Sequence, residues 1–206
     1  MSKNNIDTTE YWKEAYNTIQ VPKQPSAFAN EIISRLPNRD LSIVDLGCGN
    51  GRDVKFFETY YSTVHGMDAI KHKDYLGDID NLLLSNISNI SNISIQADIY
   101  YARFFVHAIQ ELDLDMLVKY ISSKGGYFCI ETRSSRDITD EPKSITNFIS
   151  SIGEAHFRVL YSLEYLKHKL EDRFEFLYTH EGINLAKFES ENPQIIRIIC
   201  KSKDTI

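Results

Sequence analysis

The stretch from Ser42 to Asp53 constrains the fold of this chain more than any other. An apolar run of strand-forming residues carries Asp45 near its end. The chain then passes through three glycines and enters a segment of helical character that begins at Val54; the glycines are Gly47, Gly49 and Gly51. Glycine permits positive φ and lets a ligand approach the main-chain N–H groups closely. The pattern therefore predicts a strand, a ligand-binding turn and a helix.

The spacing of the glycines and acids narrows the choice of ligand. A dinucleotide fingerprint needs Gly-x-Gly-x-x-Gly, and its third glycine position is occupied by Arg52. Asp45 would repel a pyrophosphate, whereas it can accept hydrogen bonds from an ammonium or hydroxyl group. Asp68 closes the next apolar segment about 20 residues on, where α/β nucleotide folds hold ribose hydroxyls. Two acids beside a glycine turn favour a cationic nucleoside.

The segment Val44–Gly51, together with Asp68, resembles the first two motifs of class I S-adenosylmethionine (SAM) dependent methyltransferases. The resemblance implies an α/β fold: a doubly wound, Rossmann-like, mostly parallel sheet with an antiparallel C-terminal hairpin and helices on both faces. It implies SAM as cofactor and S-adenosylhomocysteine as product, with no metal. The cofactor-binding residues that it implies are Asp45, Gly47, Cys48, Gly49, Gly51, Arg52, Asp53, Asp68, Ala69, Asn86, Ile87, Ala102 and Arg103.

The adenine contact departs from the family pattern. The residue after the third strand, which we predict at Leu82–Leu84, is commonly an aspartate that binds the adenine amino group. Here the nearest match is Asn86, with Ile87 placed to stack on the ring. Asp98 is an alternative, and the sequence leaves the choice open.

Two amphipathic segments precede the glycine turn. Apolar residues at helical spacing predict a helix over residues 8–20 and a second helix that starts at Pro25 and stops at Pro37. In the family such helices often cover the cofactor, so we expect a lid at about residues 8–36 of a single domain spanning 1–206. Tyr11 and Tyr16 are candidate substrate-binding residues, with core packing as the alternative for each aromatic side chain.

The remaining pattern predicts a fourth strand over 97–105, a helix over 106–119 and a fifth strand over 127–131. We expect residues 71–80 to be irregular or briefly helical and the Ser-Asn-Ile repeat after Leu84 to be a polar connector. Residues 137–151 are polar and are predicted to form an acceptor loop. A helix over 163–170 and strands over 174–180 and 195–200 complete the prediction.

Candidate catalytic residues lie near the predicted strand ends. His107 could take a proton from an acceptor hydroxyl, with a structural capping role as the alternative. Glu131-Thr132-Arg133-Ser134 resembles a Glu-Ala-Arg-Ser motif of small-acceptor methyltransferases, which implies that Glu131 orients a hydroxyl and Arg133 binds an anion. An internal ion pair of Glu131 with Arg133 or Arg103 is the alternative. The same subgroup often has His-aromatic-Arg, which implies that His156 and Arg158 bind or act on substrate, as Arg103 does from the fourth strand.

Composition excludes several classes of protein. The 206 residues carry a formal net charge of −6, which argues against a nucleic-acid substrate. No apolar run approaches the length of a membrane span, and no apolar signal core follows the N-terminus. The three cysteines are scattered, so we expect free thiols in a soluble cytoplasmic protein and no metal site. The sequence leaves the oligomeric state open.

These features predict methyl transfer from SAM to a small polar acceptor. Because we expect a lining of His, Glu and Arg side chains, a sugar-like or anionic molecule is favoured over a lipid or an aromatic compound. The subgroup implies O-methylation of a sugar or phosphoramidate precursor of a bacterial surface (capsular) polysaccharide. The alternatives are a methyltransferase of another small metabolite or of a macromolecule, and a non-catalytic SAM-binding regulatory module.

Overall fold

The computed structural model describes residues 9–18, 21–92, 95–150 and 153–203, and the statements below refer to these residues. Their α-helices and β-strands, in chain order, are α1 (Thr9–Thr18), α2 (Ala27–Arg35), β1 (Ser42–Leu46), α3 (Arg52–Phe57), β2 (Thr63–Asp68), β3 (Leu82–Leu84), β4 (Ile99–Arg103), α4 (Glu111–Lys124), β5 (Tyr127–Arg133), β6 (Lys143–Ser150), β7 (Gly153–Tyr161), α5 (Leu163–Leu170), β8 (Phe174–Gly182) and β9 (Ile195–Ser202).

Seven strands form one sheet in the order β3-β2-β1-β4-β5-β9-β8. The first five strands of the chain pair in parallel, and β9 runs antiparallel to both β5 and β8. The strand order reverses between β1 and β4, so the carboxyl ends of these two strands flank the crevice where open α/β sheets bind ligands. The predicted fold, mostly parallel with a closing antiparallel hairpin, is confirmed.

The sheet is covered on both faces because its strands alternate buried side chains. On β1, Val44 and Leu46 pack on one side with residues of α4 and α5, whereas Ile43 packs on the other side with residues of α2 and α3. The sequence of a strand that is buried on both faces is a nearly continuous apolar run, and this is why β1 could be predicted from the sequence. Among the described helices, none has both the length and the apolar character needed to cross a bilayer.

The boundary between the fourth strand and its helix was predicted wrongly. Phe104 has a φ of 54°, which ends the strand at Arg103, and the following residues form turns rather than a helix. The apolar residues of these turns, Val106 and Ile109, are buried in the core, so their composition imitates a helix face. Helix α4 starts only at Glu111, after Gln110 in an extended conformation.

The predicted acceptor loop over 137–151 is also wrong in most of its length. Residues Lys143–Ser150 form β6, which pairs antiparallel with β7 as a separate two-stranded sheet. The Ser-Asn-Ile repeat is a connector, as expected, but it contains a 3₁₀ helix over Ile87–Asn92 that buries Ile87 and Ile90. The helix predicted from Val54 spans Arg52–Phe57 and is shorter than expected.

Candidate cofactor and acceptor site

The turn after β1 adopts the backbone conformation that its glycines allow. Gly47, Gly49 and Gly51 have φ values of 72°, 55° and 72°, all in the left-handed region. A Cβ on Gly47 would lie 2.4 Å from Cδ2 of Phe105, and one on Gly51 would lie 2.5 Å from Cε2 of Tyr75. Two of the three glycines therefore make room for aromatic side chains that pack against the turn.

The N–H groups of the turn are used within the protein. Gly47 and Cys48 donate to the carbonyl oxygen of Met67 at 2.8 and 3.1 Å. Gly49 donates to Oδ2 of Asp68 at 2.9 Å, and Gly51 donates to the carbonyl oxygen of Cys48 at 2.9 Å. Because these four donors are already bonded, the turn offers little to a phosphate group.

Two buried acids lie at the ends of neighbouring strands. Asp45 is 4% exposed and Asp68 is 9% exposed. Oδ1 of Asp68 accepts from the N–H of Ile70 at 3.0 Å, and Oδ2 also accepts from the Tyr16 hydroxyl at 3.1 Å. No hydrogen bond among the described residues reaches the Asp45 carboxylate. Burial raises the pKa of both carboxyls, and that of Asp45 is raised further by the charge of Asp53.

These acids border a cavity of about 850 Å³, within the range typical of small-molecule sites. Fifteen predicted site residues line it: Asp45, Gly47, Cys48, Gly49, Arg52, Asp53, Asp68, Ala69, Asn86, Ile87, Arg103, Tyr11, Tyr16, Glu131 and Arg158. The other predicted residues lie outside the lining: Gly51, Ala102, His107, Arg133 and His156.

Asp53 connects the glycine turn to the predicted lid. Its carboxylate accepts from the backbone N–H and the hydroxyl of Ser26 at 2.7 and 2.8 Å, and from the Tyr101 hydroxyl at 2.9 Å. Ser26 is also the N-cap of α2, where its side chain accepts from the N–H of Ala29. Asp53 thus fixes the entry of α2, although it also borders the cavity.

The position of Asp98 bears on the adenine contact. Asp98 precedes β4, and its carboxylate accepts from the backbone N–H and the hydroxyl of Ser42 at 2.8 and 2.7 Å. Since Ser42 begins β1, Asp98 lies at the amino ends of the parallel strands, opposite the cavity. Asn86 lines the cavity, so the geometry favours Asn86 for this role.

His107 lies behind the cavity wall and is 1% exposed. Its Nδ1 accepts from the N–H of Arg133 at 3.3 Å and lies 2.9 Å from the Thr132 hydroxyl oxygen. Since Nδ1 is an acceptor, the neutral ring carries its proton on Nε2. Burial, then the charges of Arg158 and Arg133, lower its pKa well below the usual value. Nε2 is buried without a hydrogen-bond partner among the described residues, and His107 does not line the cavity, so this geometry gives no support to a role as general base.

Glu131 lies between two arginines. Nε of Arg103 is 2.8 Å from Oε1 of Glu131, although its N–H does not point at that oxygen, so the contact is an ion pair rather than an aligned hydrogen bond. Nε of Arg197 donates to Oε2 at 2.7 Å. The sequence left open whether Glu131 orients a substrate hydroxyl or forms an internal ion pair, and the ion pair with Arg103 is present in the structure.

Arg197 is a site-supporting residue that the sequence reasoning missed. Besides Glu131, it donates to Glu31 of α2 at 2.7 Å and to the carbonyl oxygen of Leu185 at 2.9 Å. Leu185 belongs to the segment between β8 and β9 that lines the cavity. The sequence feature that could have identified Arg197 is its position as the single charged residue within the isoleucine run of β9.

The two remaining polar candidates have different surroundings. Arg133 forms ion pairs with Asp137 and Glu191 and borders a separate, small surface depression. His156 stacks on Tyr11 with ring centroids 4.3 Å apart and accepts from Nε of Arg158 at 2.8 Å. These contacts join α1 to β7 at the cavity edge.

Aromatic residues other than Tyr11 and Tyr16 also line the cavity. They come from α1, from the turn after β4, from β7 and from the β8–β9 connection, and they are Trp12, Phe104, Phe105, Phe157 and Phe188. The lining is therefore less polar than predicted. Among the described residues, no group of three His, Cys, Asp or Glu side chains could hold a metal ion.

Comparisons with known proteins identify the fold. No protein-family profile matches the sequence, and no curated protein matches it. Three solved methyltransferase structures have folds similar to that of this chain. The first is a SAM-dependent methyltransferase from Anabaena variabilis, with a TM-score of 0.67, 17% identity, and 98% of each chain covered.

The second is a glycopeptide N-methyltransferase in complex with S-adenosylhomocysteine, with a TM-score of 0.66 and 12% identity over 87% of this chain and 90% of that chain. The third is 1,6-didemethyltoxoflavin-N1-methyltransferase from Burkholderia thailandensis, with a TM-score of 0.64 and 13% identity over 86% and 77%. The chain has the fold of class I SAM-dependent methyltransferases.

Proposed function

We propose that this protein is a methyltransferase that binds SAM in the 850 Å³ cavity and methylates a small polar acceptor. One observation carries the proposal: two buried strand-end carboxylates, Asp45 and Asp68, flank a glycine turn in which four N–H donors are already bonded within the protein. Such a site is built for a cation with hydroxyl groups and not for a phosphate.

The residues fit the cofactor. When bound, SAM supplies a methyl group on a positively charged sulfur, which is already activated for transfer. Asp45 would hold its ammonium group, because this carboxylate is buried and lacks a hydrogen-bond donor among the described residues. Asp68 would accept the ribose hydroxyls, and the hydroxyl of Tyr16 now occupies one of its acceptor positions. Asn86 and Ile87 would contact the adenine.

The chain's own contribution to the reaction is mainly alignment. Orientation of two reactants can supply about 7–11 kcal/mol of the barrier. The side chains of Arg103, Phe104 and Glu131 line the cavity near the ends of β4 and β5, next to the turn, so they would position the acceptor. The solved structure with bound S-adenosylhomocysteine, which shares this fold, supports the choice of cofactor.

A narrower acceptor class is also proposed: a sugar or phosphoramidate precursor of a bacterial surface polysaccharide, methylated on oxygen. Its support is the resemblance of Glu131-Thr132-Arg133-Ser134 and of His156-Phe157-Arg158 to the small-acceptor subgroup. The solved structures with this fold include methyltransferases of a glycopeptide and of a toxoflavin precursor, so they do not favour one acceptor.

Calorimetry with SAM, S-adenosylhomocysteine and NAD tests the proposal. We expect heat with the first two ligands and none with NAD. Asp68→Asn should weaken SAM binding about tenfold to hundredfold, because hydrogen bonds to a charged group are lost. Asp80→Asn is the matched control, since Asp80 is exposed and outside the cavity.

A methyl-release assay over nucleotide sugars and small acids then separates an enzyme from a non-catalytic module. Binding of SAM without turnover on any acceptor would favour the module. Absence of heat with SAM and S-adenosylhomocysteine would refute the cofactor assignment.

A further inference from the structure

One arginine at the cavity differs from the other largely buried arginines in its charge environment. Arg158 is 7% exposed and lines the cavity from β7. Four other arginines with side chains at most 20% exposed each have a carboxylate oxygen within 4.0 Å, and they are Arg52, Arg103, Arg133 and Arg197. Among the described residues, no carboxylate oxygen lies that close to Arg158.

The neighbours of Arg158 hold it in place without neutralising it. Its Nε donates to Nε2 of His156 at 2.8 Å, and its guanidinium carbon lies 5.4 Å from the ring centroid of Trp12. Its Nη1 is buried and has no hydrogen-bond partner within the described part of the chain. A buried charged donor without a partner is costly, and so the folded site retains an unmet need for an acceptor.

The charge of Arg158 persists at neutral pH. Burial lowers its pKa to about 9, which still leaves the guanidinium protonated in the physiological range. Arginine donates through a planar fork that matches a carboxylate better than a neutral oxygen. An oxyanion on the bound molecule would therefore supply the missing partner.

The rest of the lining limits the size of that negative charge. Besides Arg158, the same cavity is bordered by more acidic than basic residues: the acids are Asp45, Asp53, Asp68, Asp113 and Glu131, and the bases are Arg52, Arg103 and Lys187. A phosphate monoester carries a charge of about −1.5 to −2 at neutral pH, which these acids would repel more strongly than a singly charged group. A carboxylate has one negative charge and two acceptor oxygens, so it fits this balance better.

We propose that Nη1 of Arg158 binds a carboxylate of the methyl acceptor, so that the substrate is a small carboxylic acid whose body lies against the aromatic wall of Trp12 and Phe157. This inference rests on the proposed function, which it narrows from a polar acceptor to an acid. It also makes Arg158 the residue that selects acids over their neutral analogues.

Paired probes test the inference. The affinities of glucuronate and benzoate are compared with those of glucuronamide and benzamide by ligand-observed NMR, with and without saturating S-adenosylhomocysteine. We expect at least one acid to bind, and more tightly than its amide. Arg158→Met should weaken acid binding about tenfold to hundredfold and leave amide binding unchanged. Arg136→Met is the control, because Arg136 forms its ion pairs outside the cavity.

Two further measurements distinguish a failure of the cofactor assignment from a failure of the carboxylate inference. Binding of S-adenosylhomocysteine is measured in every variant; its absence in the wild type would refute the cofactor assignment, while the acid–amide comparison still decides the role of Arg158. Arg158→Lys retains a charge and should keep part of the acid preference if Arg158→Met does not fold. The inference is overturned if neither acid binds better than its amide, or if the preference survives in Arg158→Met or is unchanged in Arg158→Lys.

Discussion

The Asp45 carboxylate offers the sharpest test, because replacing it should stabilise the protein and weaken its function. Asp45 is 4% exposed, and none of the hydrogen bonds among the described residues reaches its carboxylate. Burial, then the neighbouring charge of Asp53, raises its pKa well above the usual value. In Asp45→Asn the side chain keeps its shape and loses the charge.

The sign of the effect on stability follows from this pKa. Because the pKa of Asp45 is higher in the folded than in the unfolded state, its favourable contribution is complete below the unfolded value of about 3.9 and is lost as the pH rises through the folded value. At neutral pH the charged group destabilises the fold. Burial and the charges of Asp53 and Asp68 outweigh the favourable charges of Arg103 and Arg52, so removing the charge of Asp45 should increase the free energy of unfolding by about 1–3 kcal/mol.

The effect on binding has the opposite sign. If Asp45 holds the ammonium group of SAM, then Asp45→Asn loses a charge-assisted hydrogen bond of about 1.5–3 kcal/mol. The dissociation constant for SAM should rise about tenfold to hundredfold. A gain in stability combined with a loss of affinity is the expected mark of a binding residue that strains the unliganded fold.

Urea denaturation of wild type and Asp45→Asn at neutral pH and at about pH 4 measures the first effect, and calorimetry with SAM measures the second. The gain in stability should shrink at the lower pH, where the wild-type carboxyl is protonated. Asp80→Asn should change neither quantity, because Asp80 is exposed. The reasoning is refuted if Asp45→Asn is less stable than wild type at neutral pH, or if its gain is independent of pH.

Three further predictions concern the framework of the site, and each is measured by urea denaturation. Gly47→Ala should cost about 1–3 kcal/mol more than Gly49→Ala, because both glycines have positive φ, but a Cβ would meet Phe105 at 2.4 Å at the first position and only the Tyr16 hydroxyl oxygen at 3.7 Å at the second; equal costs would contradict this. Arg197→Met should cost about 3–5 kcal/mol, since it breaks buried ion pairs, and a cost no larger than that of Arg136→Met would argue against the network. His107 has a pKa lowered by burial, so wild-type stability should fall as the pH drops below about 6.5, and His107→Gln should lose part of this dependence; an unchanged pH dependence would contradict the buried neutral ring.

The sequence by itself determined the frame of the molecule and the position of its ligand turn. Apolar runs, apolar residues at helical spacing and the glycines after β1 are local signals, because they reflect which φ values and which faces each residue can occupy. The same logic placed Asp45 and Asp68 together, since the carboxyl ends of adjacent parallel strands meet at one edge of a sheet. It failed between Phe104 and Gln110, where buried turn residues have the composition of a helix face.

Only the tertiary structure decided which of the candidate side chains meet in the cavity. His107 lies behind the wall and Arg133 beside another depression, whereas Arg197, which the sequence reasoning passed over, ties together residues up to 166 positions apart. Packing likewise determines that the turn N–H groups are bonded within the protein and that no carboxylate of the described residues lies within 4.0 Å of Arg158. Such partners depend on how distant segments stack and on which charges burial leaves unneutralised, and neither is encoded in the local pattern of residues.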